Sequence, residues 1–151
     1  MRLSAPSNPR WLSVSLGLSS VHSILWGLFI IVMPLTASRV YGFDTPPRDT
    51  FLWQGVGLVI ILFGIGYAIA ALDPFRHWAV VLIGLLAKVI GPMGMIIAVA
   101  RDEVSSGVLR LLPVNDVMWW IPFAVIVAEG IRRDRRCGDP QPMLADPQER
   151  S

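Results

Sequence analysis

WLSVSLGLSSVHSILWGLFIIVM, residues Trp11 to Met33, runs for 23 residues without a formal charge, and FLWQGVGLVIILFGIGYAIAAL, Phe51 to Leu72, adds a second run of 22. A helix rises about 1.5 Å per residue, so about 20 apolar residues cross a hydrocarbon core. Each run is long enough to do so. Two more follow, at 78–100 and 109–131, the third broken by Lys88 and the fourth carrying Asn115 and Asp116 near its start. Unbroken apolar runs satisfy every backbone group within one helix, whereas barrel strands would alternate polar and apolar residues. The expected fold is all-α: an integral membrane four-helix bundle with short loops. A polar lead (1–10) precedes the spans. A basic tail (132–151) follows them, and its Arg cluster with Pro140, Pro142 and Pro147 predicts disorder.

Working outward, 54% of the 151 residues are hydrophobic and 16% charged, well under the roughly 25% charged residues of an average soluble domain. The polar remainder is too short for an extra soluble domain. The net charge of +2 therefore points to membrane orientation and not to a nucleic-acid partner. Four spans put both ends of the chain on one side, with Arg2, Arg10, Arg76, Arg132, Arg133, Arg135, Arg136 and Arg150. The other side has Arg39, Arg48, Arg101 and Arg110. Eight against four places the termini in the cytoplasm. Twelve Arg to one Lys resembles GC-rich bacterial coding, so a bacterial inner membrane is the expected location. The first run is too long for a signal-peptide core of about 7–15 residues. Cys137, the only cysteine, has no partner for an internal disulfide and falls in the expected tail.

Along the chain, Pro34 ends the first span, and 35–50 reads as a loop with interfacial Tyr41 and Phe43. Asp73 to His77 is so short that the second and third spans must be antiparallel neighbours. Gly84, Ala87, Gly91, Gly94 and Ala98 recur at helical spacing, a stripe that lets another backbone approach. Gly55, Gly57, Gly64 and Gly66 make the second span its expected partner. Lys88 falls on this stripe near the midplane, where a lysine costs about 2.5–3.5 kcal/mol to insert. Eleven Leu, Ile and Val residues in the same span offset this at roughly 0.3–0.6 kcal/mol each. The lysine either faces a polar partner or snorkels. Pro92 has no amide for the Lys88 carbonyl, so a kink is expected there.

His22 lies at nearly the depth of Lys88, on a stripe with Ser15, Ser19 and Trp26. Asn115 and Asp116, ahead of Trp119 and Trp120, either cap the fourth helix or enter the membrane if that helix starts near Leu109. In the latter case Gln54 comes within reach. The candidate ligand-binding layer is His22, Lys88, Gln54, Asn115, Asp116 and Trp119. The bland alternatives are a histidine bonded within the core, helix packing by the glycines, an interfacial tryptophan belt, and Glu129 as a solvated charge. His77 lies in the turn and cannot join His22 in holding haem, and no metal-ligand spacing occurs. No catalytic motif is visible and no cofactor is implied.

The blocks FLWQGVG (51–57), LLAKVIGP (85–92) and NDVMWWIPF (115–123) resemble a family of small four-span bacterial membrane proteins, DoxX-like in general outline. The NDxxWWxPF pattern is the most specific of them. Some members of that group accompany quinone-linked or thiol-linked redox proteins, so the resemblance offers such a protein as a partner. Some similar chains are labelled as alkyl hydroperoxide reductases, a role for which Cys137 is badly placed. The leading expectation is a non-enzymatic accessory or small-ligand-binding bundle. The alternative is a small homodimeric proton-coupled transporter in which Asp116 or Lys88 changes protonation; a membrane oxidoreductase is third. The expected partners are the lipid bilayer and either a second copy or a membrane redox protein.

Overall fold

The structure, a computed structural model, describes residues 9–43, 45 and 47–138. Among them there is no strand. The first apolar run forms α1, Arg10–Val32, and Pro34 then starts a short helix, α2, Pro34–Val40. Pro34 is the residue whose amide would have bonded the Ile30 carbonyl, so α1 cannot continue through it. The expected loop at 35–50 is thus partly helical, because proline suits a helix's first turn as well as it breaks an interior. The second run is α3, Thr50–Leu72, and the third is α4, Trp78–Ala100. A 3-10 segment, Ser106–Leu111, leads through a π-helical turn, Pro113–Val117, into α5, Met118–Gly138.

Two boundaries differ from expectation. Helical backbone begins at Ser106, ahead of the expected start near Leu109, and α5 runs seven residues past Ile131. Arg132 and Arg133 pair with Glu129 one turn back, at 3.7 and 3.3 Å, and Asp134 accepts from Trp78 Nε1 at 2.7 Å. Those pairs continue the helix where composition alone predicted a tail. Glu129 is thus a charge paired within the Arg cluster, and its side chain is still 36% exposed. The expected disorder beyond Gly138 lies outside the described residues.

α1, α3, α4 and the stretch Ser106–Arg136 are each long and apolar enough to cross a membrane, which makes this a membrane protein. Large apolar side chains point outward, among them Phe51 and Leu72, each more than 80% exposed, as lipid-facing residues should be. The end of the bundle that holds Arg10 and Gly138 is called proximal here, and the other end distal.

The tightest contact joins α1 to α3. A Cβ built on Gly27 would lie 2.5 Å from the Gly57 carbonyl oxygen, and one on Gly64 would lie 3.1 Å from the Ser20 carbonyl oxygen. Gly57 and Gly64 are seven residues apart, as are Gly27 and Ser20, so one antiparallel crossing brings both pairs into backbone contact. This corrects the expected pairing, in which the α3 glycines met the α4 stripe. On α4, Gly84 packs on the Tyr67 ring, whereas Gly91 and Gly94 have nothing within 4 Å of an added Cβ. The α4 stripe closes on α3 only at its proximal end.

The core has the same polarity. Leu12, Leu16, Tyr67, Phe75, Phe123 and Ile126 fill the proximal half, with Tyr67 edge-on to Phe123 at 5.0 Å between ring centres. Small residues at the corresponding distal positions of α4 leave the other half unfilled. The distal end is closed by its loops: Ser105 N–H donates to the Gly42 carbonyl at 3.2 Å, and Gly42 has φ +80°. A side chain at position 42 would be strained by that φ, and its Cβ would come within 3.1 Å of the Ser105 carbonyl oxygen.

Candidate functional site

Between the α1–α3 pair and the α4–α5 pair is a cavity of about 280 Å³ in the distal half of the bundle. Its polar floor is made by His22 of α1, Lys88 of α4, and Asn115 and Asp116 of the π turn. The sequence places Lys88 ten residues, about 15 Å, into α4, and His22 at a similar depth from the same end. His22 and Lys88, which that arithmetic puts at one level, line the same cavity together with Asn115 and Asp116, four of the six candidate residues.

Asn115 joins the two halves. Its side-chain oxygen accepts from His22 Nε2 at 3.0 Å, and its backbone carbonyl accepts from Lys88 Nζ at 2.7 Å. That carbonyl belongs to the π turn, whose extra residue departs from the regular helical ladder. Lys88 Nζ also lies 3.8 Å from Asp116 Oδ1, an ion pair whose side chains are 11% and 22% exposed. The Lys88 side chain thus turns to Asn115 and Asp116, and Asp116 lies inside the span-length stretch Ser106–Arg136 and not at its cap. Helical backbone begins ten residues before it, so no free helix end is left there to cap.

The carbonyl that Pro92 leaves unbonded has a partner. Trp120 Nε1 donates to the Lys88 oxygen at 2.9 Å, so α4 continues through the proline with its polar group satisfied. Trp120, read from the sequence as an interfacial residue, is instead a structural donor at the site. A free carbonyl four residues before a proline was the signal for it. Trp119 is buried behind His22 at 6.0 Å between ring centres and does not line the cavity. Gln54 does not join the layer either. Its side chain donates at 2.9 Å to the Ile31 carbonyl, near the point where Pro34 interrupts α1. Of the stripe on α1, Ser15 bonds back to the Trp11 carbonyl, Ser19 is buried without a hydrogen-bond partner among the described residues, and Trp26 stacks on His22 at 6.1 Å.

Tyr41 was read from the sequence as an interfacial loop aromatic. It folds over the distal mouth, accepts from Trp26 Nε1 at 2.6 Å, and meets Trp53 edge-on at 5.2 Å. Only the turn at α2 brings it there. Burial pushes the Tyr41 phenol above its usual range; the hydrogen bond from Trp26 opposes this shift and the Asp116 charge reinforces it. The raised value means that the unfolded chain ionises first, so stability is complete below pH of about 10 and falls as the pH rises beyond it. Melting scans in detergent between neutral and strongly alkaline pH should show that fall, and Tyr41→Phe should make it less steep. An unchanged alkaline slope in the variant would remove Tyr41 as its source.

The apolar walls come from Phe63 and Tyr67 of α3, Met95 of α4, and Val108 below the distal loop. On one side the walls separate. Val56 and Val59 of α3 and Ala87 and Gly91 of α4 line the cavity and are also exposed, so the space opens sideways between these two helices toward the position of lipid. No group of three His, Cys, Asp or Glu residues suited to a metal ion occurs among the described residues. The arrangement offers one ammonium, one carboxylate and aromatic lining residues within a mostly apolar space. Comparison of the chain with protein-family models, curated proteins and solved structures finds no match.

Proposed function

We propose that this chain binds a small lipid-borne molecule in its distal cavity and serves as a membrane accessory component, not as a catalyst. The observation that carries this reading is the position of the Lys88–Asp116 pair. It lies at the floor of a 280 Å³ space that opens sideways between α3 and α4. Intramembrane charges cost too much to be retained as packing, and one facing a cavity marks a binding or transfer site. The DoxX-like resemblance and a quinone-linked or thiol-linked redox partner are consistent with such a role.

The test uses the side opening. Gly91 has free space around it, so Gly91→Trp should block the opening without disturbing the fold. Mass spectrometry of protein purified with native lipid should find a molecule retained by the wild type and lost from Gly91→Trp, with equal melting temperatures. The same bound molecules in both proteins would overturn the proposal. The rival reading is a homodimeric proton-coupled transporter, favoured by the same ion pair at membrane depth. Purified protein in liposomes separates the two, because only the transporter moves a solute in response to an imposed pH gradient.

The orientation proposed from the eight-to-four Arg asymmetry puts both termini in the cytoplasm of a bacterial cell. Reporter fusions after Ile131 are expected to be active only in the cytoplasm. Periplasmic alkaline phosphatase activity at that junction would reverse the assignment.

A further inference from the structure

The reading of the cavity as a ligand site leaves open what it binds, and the hydrogen-bonding capacity of its floor narrows the answer. Lys88 has three N–H donors and gives one to the Asn115 carbonyl at 2.7 Å. Its approach to Asp116, at 3.8 Å, is longer than a hydrogen bond, which for N–H···O spans about 2.7–3.2 Å. The ammonium thus keeps donors, and the carboxylate keeps acceptors, beside the open space. His22 Nε2 is already committed to Asn115 and adds no second donor.

We propose that the ligand is an uncharged, ring-sized amphiphile whose hydroxyl group bridges Lys88 Nζ and Asp116 Oδ1, with its apolar remainder passing between α3 and α4 into the bilayer. This rests on the cavity being a ligand site. A hydroxyl is the simplest group that accepts from an ammonium and donates to a carboxylate at once, whereas a ketone, ether or ester can only accept. An oxygen about 2.8 Å from each partner fits above their 3.8 Å separation. The two formal charges of the floor cancel, so a carboxylate ligand would face Asp116 and an amine would face Lys88, each with an uncompensated charge in a poorly solvated space. Size and walls select the remainder. About 280 Å³ is at the small end of ligand pockets, which run to roughly 1,000 Å³. Phe63, Tyr67 and Trp26 line the space with aromatic rings, favourable neighbours for a ring-sized ligand. The side opening admits a molecule that partitions into lipid first.

The test uses the full chain in lipid nanodiscs, with 4-octylphenol, its methyl ether 4-octylanisole, and 4-octylbenzoate as probes, followed by quenching of tryptophan fluorescence. The phenol should bind at least roughly tenfold more tightly than the ether, the ratio expected when a hydrogen bond to charged groups is lost. In Lys88→Met/Asp116→Leu, both should bind with the weaker affinity of the ether. Should that variant fail to fold, Gly91→Trp serves in its place and should exclude all three probes. Equal binding of phenol and ether to the wild type would overturn the hydroxyl bridge, as would tighter binding of the benzoate. Failure of every probe, while a native molecule is still retained on purification, would overturn this ligand class and leave the cavity reading standing. Failure of every probe with nothing retained would overturn both.

Discussion

Gly27→Leu is expected to melt far below the wild type in detergent, or to fail to assemble a stable bundle. A Cβ at position 27 would sit 2.5 Å from the Gly57 carbonyl oxygen, 2.7 Å from Ile61 Cγ1 and 3.1 Å from the Ile61 amide nitrogen. Two of these three neighbours are backbone, which cannot move aside as the tip of a flexible side chain can. The contact is reciprocal, since a Cβ at Gly57 would come within 2.8 Å of the Gly27 carbonyl oxygen. Accommodating leucine therefore requires α1 and α3 to separate along their whole crossing. Overpacking in ordinary cores costs about 1–3 kcal/mol, and here the loss of the Ser20–Gly64 approach adds to it. Gly91→Leu is the control, because nothing lies within 4 Å of a Cβ there. Its melting temperature should match the wild type. Equal losses in the two variants would mean that the α1–α3 crossing does not hold the bundle together.

Lys88→Met should also be destabilising, by about 3 kcal/mol. The lone sequence points the other way, because removing a midplane lysine relieves an insertion cost of about 2.5–3.5 kcal/mol. The structure reverses the sign. Without the ammonium, Asp116 is left with no counter-charge and the Asn115 carbonyl loses the donor that Lys88 supplies at 2.7 Å. Removing one member of such a pair is costly, whereas replacing both by apolar groups of similar size is near neutral or stabilising. Lys88→Met/Asp116→Leu should therefore regain most of the loss. Thermal melts of wild type, single and double variants in one detergent settle it. A single variant at least as stable as the wild type would show that the lysine is merely tolerated in the bundle.

Lys88 and His22 were legible as one level because depth along a helix is sequence arithmetic, about 1.5 Å for each residue, whereas Asn115 and Asp116 could be read as a cap or as membrane-embedded until the start of the last helix was known. Gln54, one turn into its span, was within reach of Asp116 only if the last helix started near Leu109, and its amide bonds the nearby Ile31 carbonyl instead. Trp120 was visible as an amphipathic aromatic but not as the donor to the Lys88 carbonyl, which needs α4 and α5 to be neighbours. Tyr41 was hidden by the α2 turn. The glycine stripes show the limit most directly. Small residues at helical spacing state that a backbone approach is possible, and they do not state which helix makes it.

The sequence by itself determined that the chain forms four helices able to span a membrane, where the helix through Pro34 must break, and at what depth its ionisable residues fall. Those properties depend on hydrophobic run length, on a missing amide and on a fixed rise per residue, all local to one segment. The tertiary structure alone decided that α1 crosses α3 at Gly27 and Gly57, that α3 and α4 meet proximally and separate distally, and that Lys88 faces Asp116 across the resulting cavity. Each of these is a pairing between segments far apart in the chain, and it is chosen by the joint fit of two surfaces that neither segment specifies alone.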